Sequence, residues 1–487
     1  MHSWCRHLLP ALALAAAAPL AGAAPLAACR IDGIPNELLC GSLQRPLDPA
    51  RPDGVKVDIH YLVVPALARN KQPDAVLLLA GGPGQSAIKI ASRVLPRLSR
   101  LNNRRDLVFI DQRGTGKSAP LECKDDEKLL AAEQMEPAEQ MLRIDQCRQQ
   151  LQTLPYGKDG GLRYFTTTIA MQDMDAVREA LGVPQWNLFG ASYGTRAALE
   201  YLRQFPTKVR RTVIDGVAPP DMVLPASFSA DTQAALEKLF DDYAKTHPTL
   251  RDDWYRLLSS MPRSVTVQLP LTGELKRLTV DRESLLRAVR QPLYQPALAA
   301  ALPAAIQAAA RHGGRFDALF GLTSAFVGGK GMELAMGMHF SVICAEDVPR
   351  LAGAKDKPGE DYGDVDAQMY TRVCKTWPQG DVPAAFYNIP PAPSPVLLTS
   401  GGADPATPPR HGARVAQALA AGHPERVQHV VVPEAGHGAM AVGCMRDVLF
   451  RFIDARTDAA ALPQDAACAT RIPRPPAFQP VQAEATK

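Results

Sequence analysis

Residues 186–200 read Trp-Asn-Leu-Phe-Gly-Ala-Ser-Tyr-Gly-Thr-Arg-Ala-Ala-Leu-Glu. The apolar run Trp186–Phe189 has the character of a short buried parallel strand. Gly190-Ala-Ser-Tyr-Gly194 follows at once, and Arg196 to Leu202 reads as a helix. Strand, tight turn and helix put Ser192 at a sharp corner, its hydroxyl projecting from the C-terminal edge of a sheet. Glycines on either side let strand and helix pack closely. A G-x-S-x-G match alone arises by chance in roughly one chain in seven of this length. The flanking strand and helix are what make the match informative.

Working outward, other apolar runs repeat the strand pattern. Asp74–Ala80 is a continuous apolar stretch that runs into Gly81-Gly-Pro-Gly84, and Asp106–Ile110 runs into Asp111-Gln-Arg-Gly-Thr-Gly-Lys-Ser118. Val55–Val63 alternates apolar and polar residues, as a strand of an antiparallel edge hairpin does, with His60 on its polar face. Helices are expected over about 86–101 and 168–181, with Gly182 ending the second. Residues 119–165 look charged and irregular. Arg211–Val217 is a further short strand. From about 219 to 393 the alternation stops and helical segments dominate, among them Ala230–His247, Arg282–Val289, Pro303–His312 and Gly331–Cys344. The strand pattern resumes at Ser394–Thr399 and Val427–Val432. Strands alternating with helices imply an α/β fold with a mainly parallel, doubly covered sheet, here carrying an inserted, mostly helical cap.

The chain of 487 residues, 46% hydrophobic and 21% charged with a formal charge of +4, has ordinary globular composition. No basic run suggests nucleic acid. Arg6 and His7, the apolar stretch Leu8–Ala21 and Ala21-Gly-Ala23 fit a signal peptide, and no later stretch is long and apolar enough for a transmembrane segment. The expected organisation is a signal peptide over 1–23, a core in two parts over 24–218 and 394–470, the cap over 219–393, and a Pro-rich tail over 471–487. Leu26-Ala-Ala-Cys29 also resembles a lipoprotein box, which would anchor an exported chain through Cys29. Nine cysteines are present, one of them in the signal. The remaining eight suggest sequential disulfides, 29–40, 123–147, 344–374 and 444–468. No cysteine or histidine spacing suits zinc, so neither metal nor cofactor is expected.

A serine hydroxyl needs an adjacent base to act as a nucleophile. In a strand–serine–helix fold the partners follow in the order Ser, acid, His. Asp404 lies on Ser400-Gly-Gly-Ala-Asp404-Pro after a strand, and His437 lies between glycines just past the last strand. These are the expected acid and base. His411, His423 and His429 read as surface residues. The backbone N–H groups of Gly82 and Tyr193 are the expected oxyanion donors. The Asp111–Ser118 turn reads as structural, with Arg113 tying loops together. No phosphate-loop pattern is present.

Taken in order, Gly81-Gly-Pro-Gly84, Asp111–Ser118, Gly190-Ala-Ser-Tyr-Gly194, Asp404 and Gly436-His-Gly438 resemble the α/β-hydrolases of the prolyl and tripeptidyl aminopeptidase family, most of all its exported branch. The likeness runs from about Cys40 to Cys468. Ala80 stands where cytosolic prolyl enzymes usually have His, and Tyr193 where they usually have Trp, departures that bear on substrate choice more than on reaction class. The resemblance implies a helical cap over the site and a serine aminopeptidase that releases short N-terminal pieces from peptides. A carboxylesterase acting on small acyl esters is the alternative, because this fold hosts both. An aminopeptidase needs a carboxylate for the substrate's free amine. Glu346, after the apolar helix 331–344, is the candidate, a solvated helix end being the plain alternative.

Overall fold

The computed structural model describes residues 26–123, 137–268, 273–311, 314–327 and 333–477. The expected signal peptide therefore lies outside the described residues, as does most of the tail.

Eleven strands are described: β1 (Ala27–Cys29), β2 (Leu38–Pro46), β3 (Lys56–Val64), β4 (Ala75–Leu79), β5 (Leu107–Ile110), β6 (Trp186–Ala191), β7 (Val209–Asp215), β8 (Arg263–Gln268), β9 (Leu275–Val280), β10 (Val396–Gly401) and β11 (Val427–Val432). Nine form one sheet in the order β1-β2-β3-β5-β4-β6-β7-β10-β11. The first three are antiparallel to one another and β3 is antiparallel to β5; every later pair is parallel. The apolar runs are central because both faces are covered. Leu77 and Leu79 of β4 join one core cluster with Val177, Leu188 and Leu199, whereas Val76 and Leu78 join another with Leu98, Leu101 and Val448. Successive side chains of a strand point to opposite faces, so an uninterrupted apolar run supplies both cores at once.

Helices 91–102, 167–180 and 193–204 lie where the periodicity places them, within a few residues. The stretch read as irregular contains a helix, Pro137–Leu151. The inserted segment has two parts. Residues of 235–320, joined by Tyr362, build a third core cluster around Trp254, Leu285 and Ile306. This part includes the antiparallel pair β8–β9, which the helical reading of the cap overlooked. The helix Met336–Glu346 instead joins the main core through Met338, Phe340, Val342 and Ile343, with Val373 and Trp377 beside it. Disulfides join Cys29–Cys40, Cys123–Cys147, Cys344–Cys374 and Cys444–Cys468. Among the described residues no helix is long and apolar enough to cross a membrane.

Candidate active site

Ser192 occupies the turn between β6 and the helix Tyr193–Gln204 at φ 56°, ψ −125°, a left-handed conformation that costs a non-glycine residue energy and persists only where its surroundings impose it. The flanking glycines explain how it persists. A methyl group on Gly190 would overlap the Gly194 carbonyl, and one on Gly194 would overlap that of Leu79. Helix and strand therefore approach more closely than any side chain allows. The turn is also held from below: Ser192 N–H donates to the Asp215 carbonyl at 2.9 Å.

Asp404 follows β10 and is 1% exposed. Its Oδ1 accepts the N–H groups of Ala406 (2.8 Å) and Thr407 (3.0 Å). Oδ2 accepts the Thr407 hydroxyl at 2.7 Å and His437 Nδ1–H at 2.9 Å. Thr407 Oγ1 lies 3.2 Å from the same ring nitrogen. Four donors on one carboxylate fix its orientation, and with it the tautomer of the ring, leaving Nε2 of neutral His437 as an acceptor. Burial works to raise the Asp404 carboxyl, but His437 and the two backbone N–H groups hold it below its ordinary value. Burial works to lower His437; Asp404, and after it Asp215, hold it above 6.5.

The ring of His437 is held on several sides. Gly216, at φ 65°, lies with the position of its missing Cβ 3.4 Å from Cε1. Tyr294 of the inserted segment packs edge-on at 5.2 Å, and its carbonyl accepts His437 N–H at 2.9 Å. Gly436 admits this contact, since a Cβ there would lie 2.5 Å from the Tyr294 carbonyl oxygen.

Gly81 and Gly82 follow β4. The Cβ position of Gly81 is 3.2 Å from Ser192 Cβ, and Gly82 adopts φ 107° before a cis Pro83. Tyr193 is the first residue of its helix, so its N–H has no intrahelical acceptor. Two residues unremarked in the sequence brace this loop. Ala335 N–H donates to the Gly84 carbonyl at 2.9 Å. His339 Nδ1–H donates to the Pro83 carbonyl at 3.1 Å, and its Nε2 accepts from Tyr370 OH at 2.8 Å. Burial lowers His339 to about 4, so it is neutral and this tautomer is maintained.

Glu346 departs from the expectation of a carboxylate facing a substrate amine. It is fully buried. Oε1 accepts Thr167 N–H at 2.8 Å, and Oε2 accepts the Thr167 hydroxyl at 3.0 Å and Arg196 at 3.3 Å. Arg196 also binds both oxygens of Asp347, at 2.9 and 3.1 Å. Because Thr167 gives its single proton to Glu346, Tyr193 OH donates to Thr167 Oγ1 at 2.6 Å and accepts from Gln112 at 3.0 Å. Glu346 thus ties the inserted helix to the helix behind Ser192. Burial pushes its carboxyl up to about 7, against the pull of Arg196 and Thr167. His411 is a second correction: it is 2% exposed and meets Asp231 at 2.8 Å. Arg113 does tie loops together, through both oxygens of Asp173 and the carbonyls of Pro46, Leu47 and Tyr164. Among the described residues no group of three or more His, Cys, Asp or Glu side chains is arranged to hold a metal ion.

A strained serine between strand and helix, and an Asp–His pair on loops after later strands of the same parallel sheet, are the hallmarks of one hydrolase class. The chain belongs to the α/β hydrolase fold family, whose sequence profile matches residues 74–443. It is 28% identical over 295 residues to a tripeptidyl aminopeptidase of Streptomyces coelicolor, covering 56% of this chain and 53% of that protein. Over 196 residues it is 34% identical to serine protease Hip1 of Mycobacterium tuberculosis, covering 39% and 37% respectively. Carboxylesterase B of the same organism is 28% identical over 214 residues, covering 42% and 41%. The chain thus spans about half the length of the aminopeptidase it matches, and less of the other two.

Proposed function

We propose that the protein is an exported serine hydrolase, and most specifically an aminopeptidase that releases short N-terminal pieces from peptides. The observation that carries the serine mechanism is the 2.9 Å bond between Asp404 and His437 Nδ1, on the same sheet edge as a serine at positive φ. In this reading His437 Nε2 takes the Ser192 proton as Oγ attacks the substrate carbonyl. The tetrahedral oxyanion is received by the Gly82 and Tyr193 N–H groups. The imidazolium, stabilised by Asp404, gives its proton to the leaving amine, and water then hydrolyses the acyl-enzyme by the same steps. Export is supported by the four disulfides, which form and persist in oxidising compartments. With Cys29 bonded to Cys40, a soluble exported form is favoured over a lipid anchor.

Peptidase activity draws its support from the aminopeptidase and protease names of two relatives. The second reading, an esterase of small acyl esters, is favoured by a specific observation: the buried Glu346 is not available to a substrate amine. An unblocked peptide p-nitroanilide, its N-acetylated twin and a short p-nitrophenyl ester, compared on one preparation, separate the two. The peptidase reading expects cleavage of the free-amine peptide and neglect of the acetylated one. Ester cleavage with neither peptide touched would establish the esterase.

A further inference from the structure

Asp215 ends β7, and it touches all three segments that carry Ser192, Asp404 and His437. Its carbonyl accepts Ser192 N–H at 2.9 Å. Its Oδ1 accepts the hydroxyl of Thr399, on the strand that leads to Asp404, at 2.7 Å. The loop carrying His437 donates twice: Ala439 N–H to Oδ1 at 2.9 Å and Met440 N–H to Oδ2 at 3.0 Å. The parallel register explains the convergence, since Asp215 sits level with Ala191 of β6 and Thr399 of β10. The carboxylate is 5% exposed, and burial pushes its carboxyl above the ordinary value, against three donors, two of them backbone N–H groups that cannot reverse, and the neighbouring His437, which favour the ionised form. Gly216 then turns beside the imidazole, where a Cβ would crowd Thr407 Oγ1 at 3.0 Å and touch the ring at 3.4 Å.

We propose that Asp215 is a positioning residue: its carboxylate clamps the loop after His437 to the turn that carries Ser192. The proposal rests on the Ser192–His437–Asp404 reading given above. Successive backbone N–H groups that donate to one fixed carboxylate set the height of the loop. A misplacement of about 1 Å between base and nucleophile costs about a hundredfold in rate. The groups bearing on the charge of His437 are Asp404, bonded to Nδ1, and Asp215, with the uncharged Tyr294 ring packed edge-on against the imidazole. Removing Asp215 therefore leaves only Asp404 to favour the imidazolium.

Asp215→Asn keeps the volume but turns an amide N–H toward a backbone N–H. Its kcat/KM on the p-nitrophenyl ester should fall about 10- to 100-fold. The acid limb of its pH–rate profile should move to lower pH, because His437 loses a neighbouring negative charge. A variant that is merely less stable would lose rate in proportion to the folded fraction, with the limb unmoved, and that result would overturn the proposal. So would kcat/KM within threefold of the unaltered protein. Should the variant not fold, amide hydrogen exchange on the unaltered protein decides. Ala439 and Met440 are then expected to be protected for hours while Ala441 and Gly443 exchange within minutes; equally fast exchange of all four would remove the clamp. Ser192→Ala and His437→Ala are measured alongside. If either retains turnover, the serine reading itself fails. If both are inactive while Asp215→Asn is normal, only the role of Asp215 fails.

Discussion

The substitution Asp404→Asn probes the site most sharply because the structure dictates what the amide must do. Oδ1 of Asp404 receives two backbone N–H groups, so an asparagine keeps its carbonyl oxygen there. Its NH2 group then takes the place of Oδ2 and points at Thr407 Oγ1 and His437 Nδ1. A donor facing Nδ1 makes that nitrogen an acceptor and puts the ring proton on Nε2, where it faces the serine instead of accepting from it. Loss of the correct tautomer in a Ser-His-Asp site costs about 10⁴-fold in kcat, which is about 5.4 kcal/mol at 1.36 kcal/mol per decade. Stability responds with a definite pH signature. Asp404 is held below its ordinary value when folded, so its contribution is present above about pH 3.9 and is lost as the pH falls through the folded value. His437 is held above 6.5, so its contribution is present below about pH 6.5 and is lost as the pH rises through the folded value. The first vanishes in the variant and the second shrinks to what Asp215 supplies. The gap in thermal midpoint between the two proteins should therefore be widest between about pH 4 and 6.5 and narrow on either side. Initial rates on the ester and thermal scans across pH test both parts. A variant that keeps more than about a tenth of kcat would refute the tautomer reasoning, and a midpoint gap independent of pH would refute the charge pairing.

Other outcomes follow from single contacts. Gly194→Ala should lower stability by about 1–3 kcal/mol or more, read as a drop in thermal midpoint, because its methyl group meets the Leu79 carbonyl; an unchanged midpoint would mean that the strand–helix approach is looser than described. Glu346→Gln should change kcat/KM for a free-amine peptide and for an ester by the same factor, since the buried carboxylate meets Thr167 and Arg196 and not the substrate; selective loss on the free-amine peptide would return Glu346 to substrate binding. Non-reducing mass spectrometry should find four disulfides with the pairing described, and reduction should lower the thermal midpoint, each bridge contributing about 2–4 kcal/mol; a diacylglycerol on Cys29 would contradict the Cys29–Cys40 bridge.

The strands and the strand-end loops were legible because local chemistry determines them. A five-residue run such as Ala75–Leu79 has no polar face to turn to water, so it is buried on both sides wherever it lies. Gly190 and Gly194 announce a close approach before the approaching backbone is known. The alternation in Arg263–Gln268 equally marks a strand, but it sits in an insertion whose other segments read as helices. Partnership across the chain was not legible. Glu346 follows an apolar helix and reads as a carboxylate for a substrate amine or as a solvated helix end, because Arg196 and Thr167 are 150 and 179 residues away in sequence. His411 meets Asp231 at a separation of 180 residues, and nothing near either residue signals it. Asp215 looks like the last residue of a strand. Its importance arises only when the register of three strands brings the serine turn and the histidine loop to one carboxylate.

The central claim is that Ser192 is the nucleophile and is activated by His437. Incubation with phenylmethylsulfonyl fluoride, followed by peptide mass spectrometry, tests it most directly. One sulfonyl group per chain is expected, on the peptide containing Ser192, with turnover lost in step with labelling and with little labelling of His437→Ala. Full turnover by Ser192→Ala, or inactivation that labels a different residue, would contradict it.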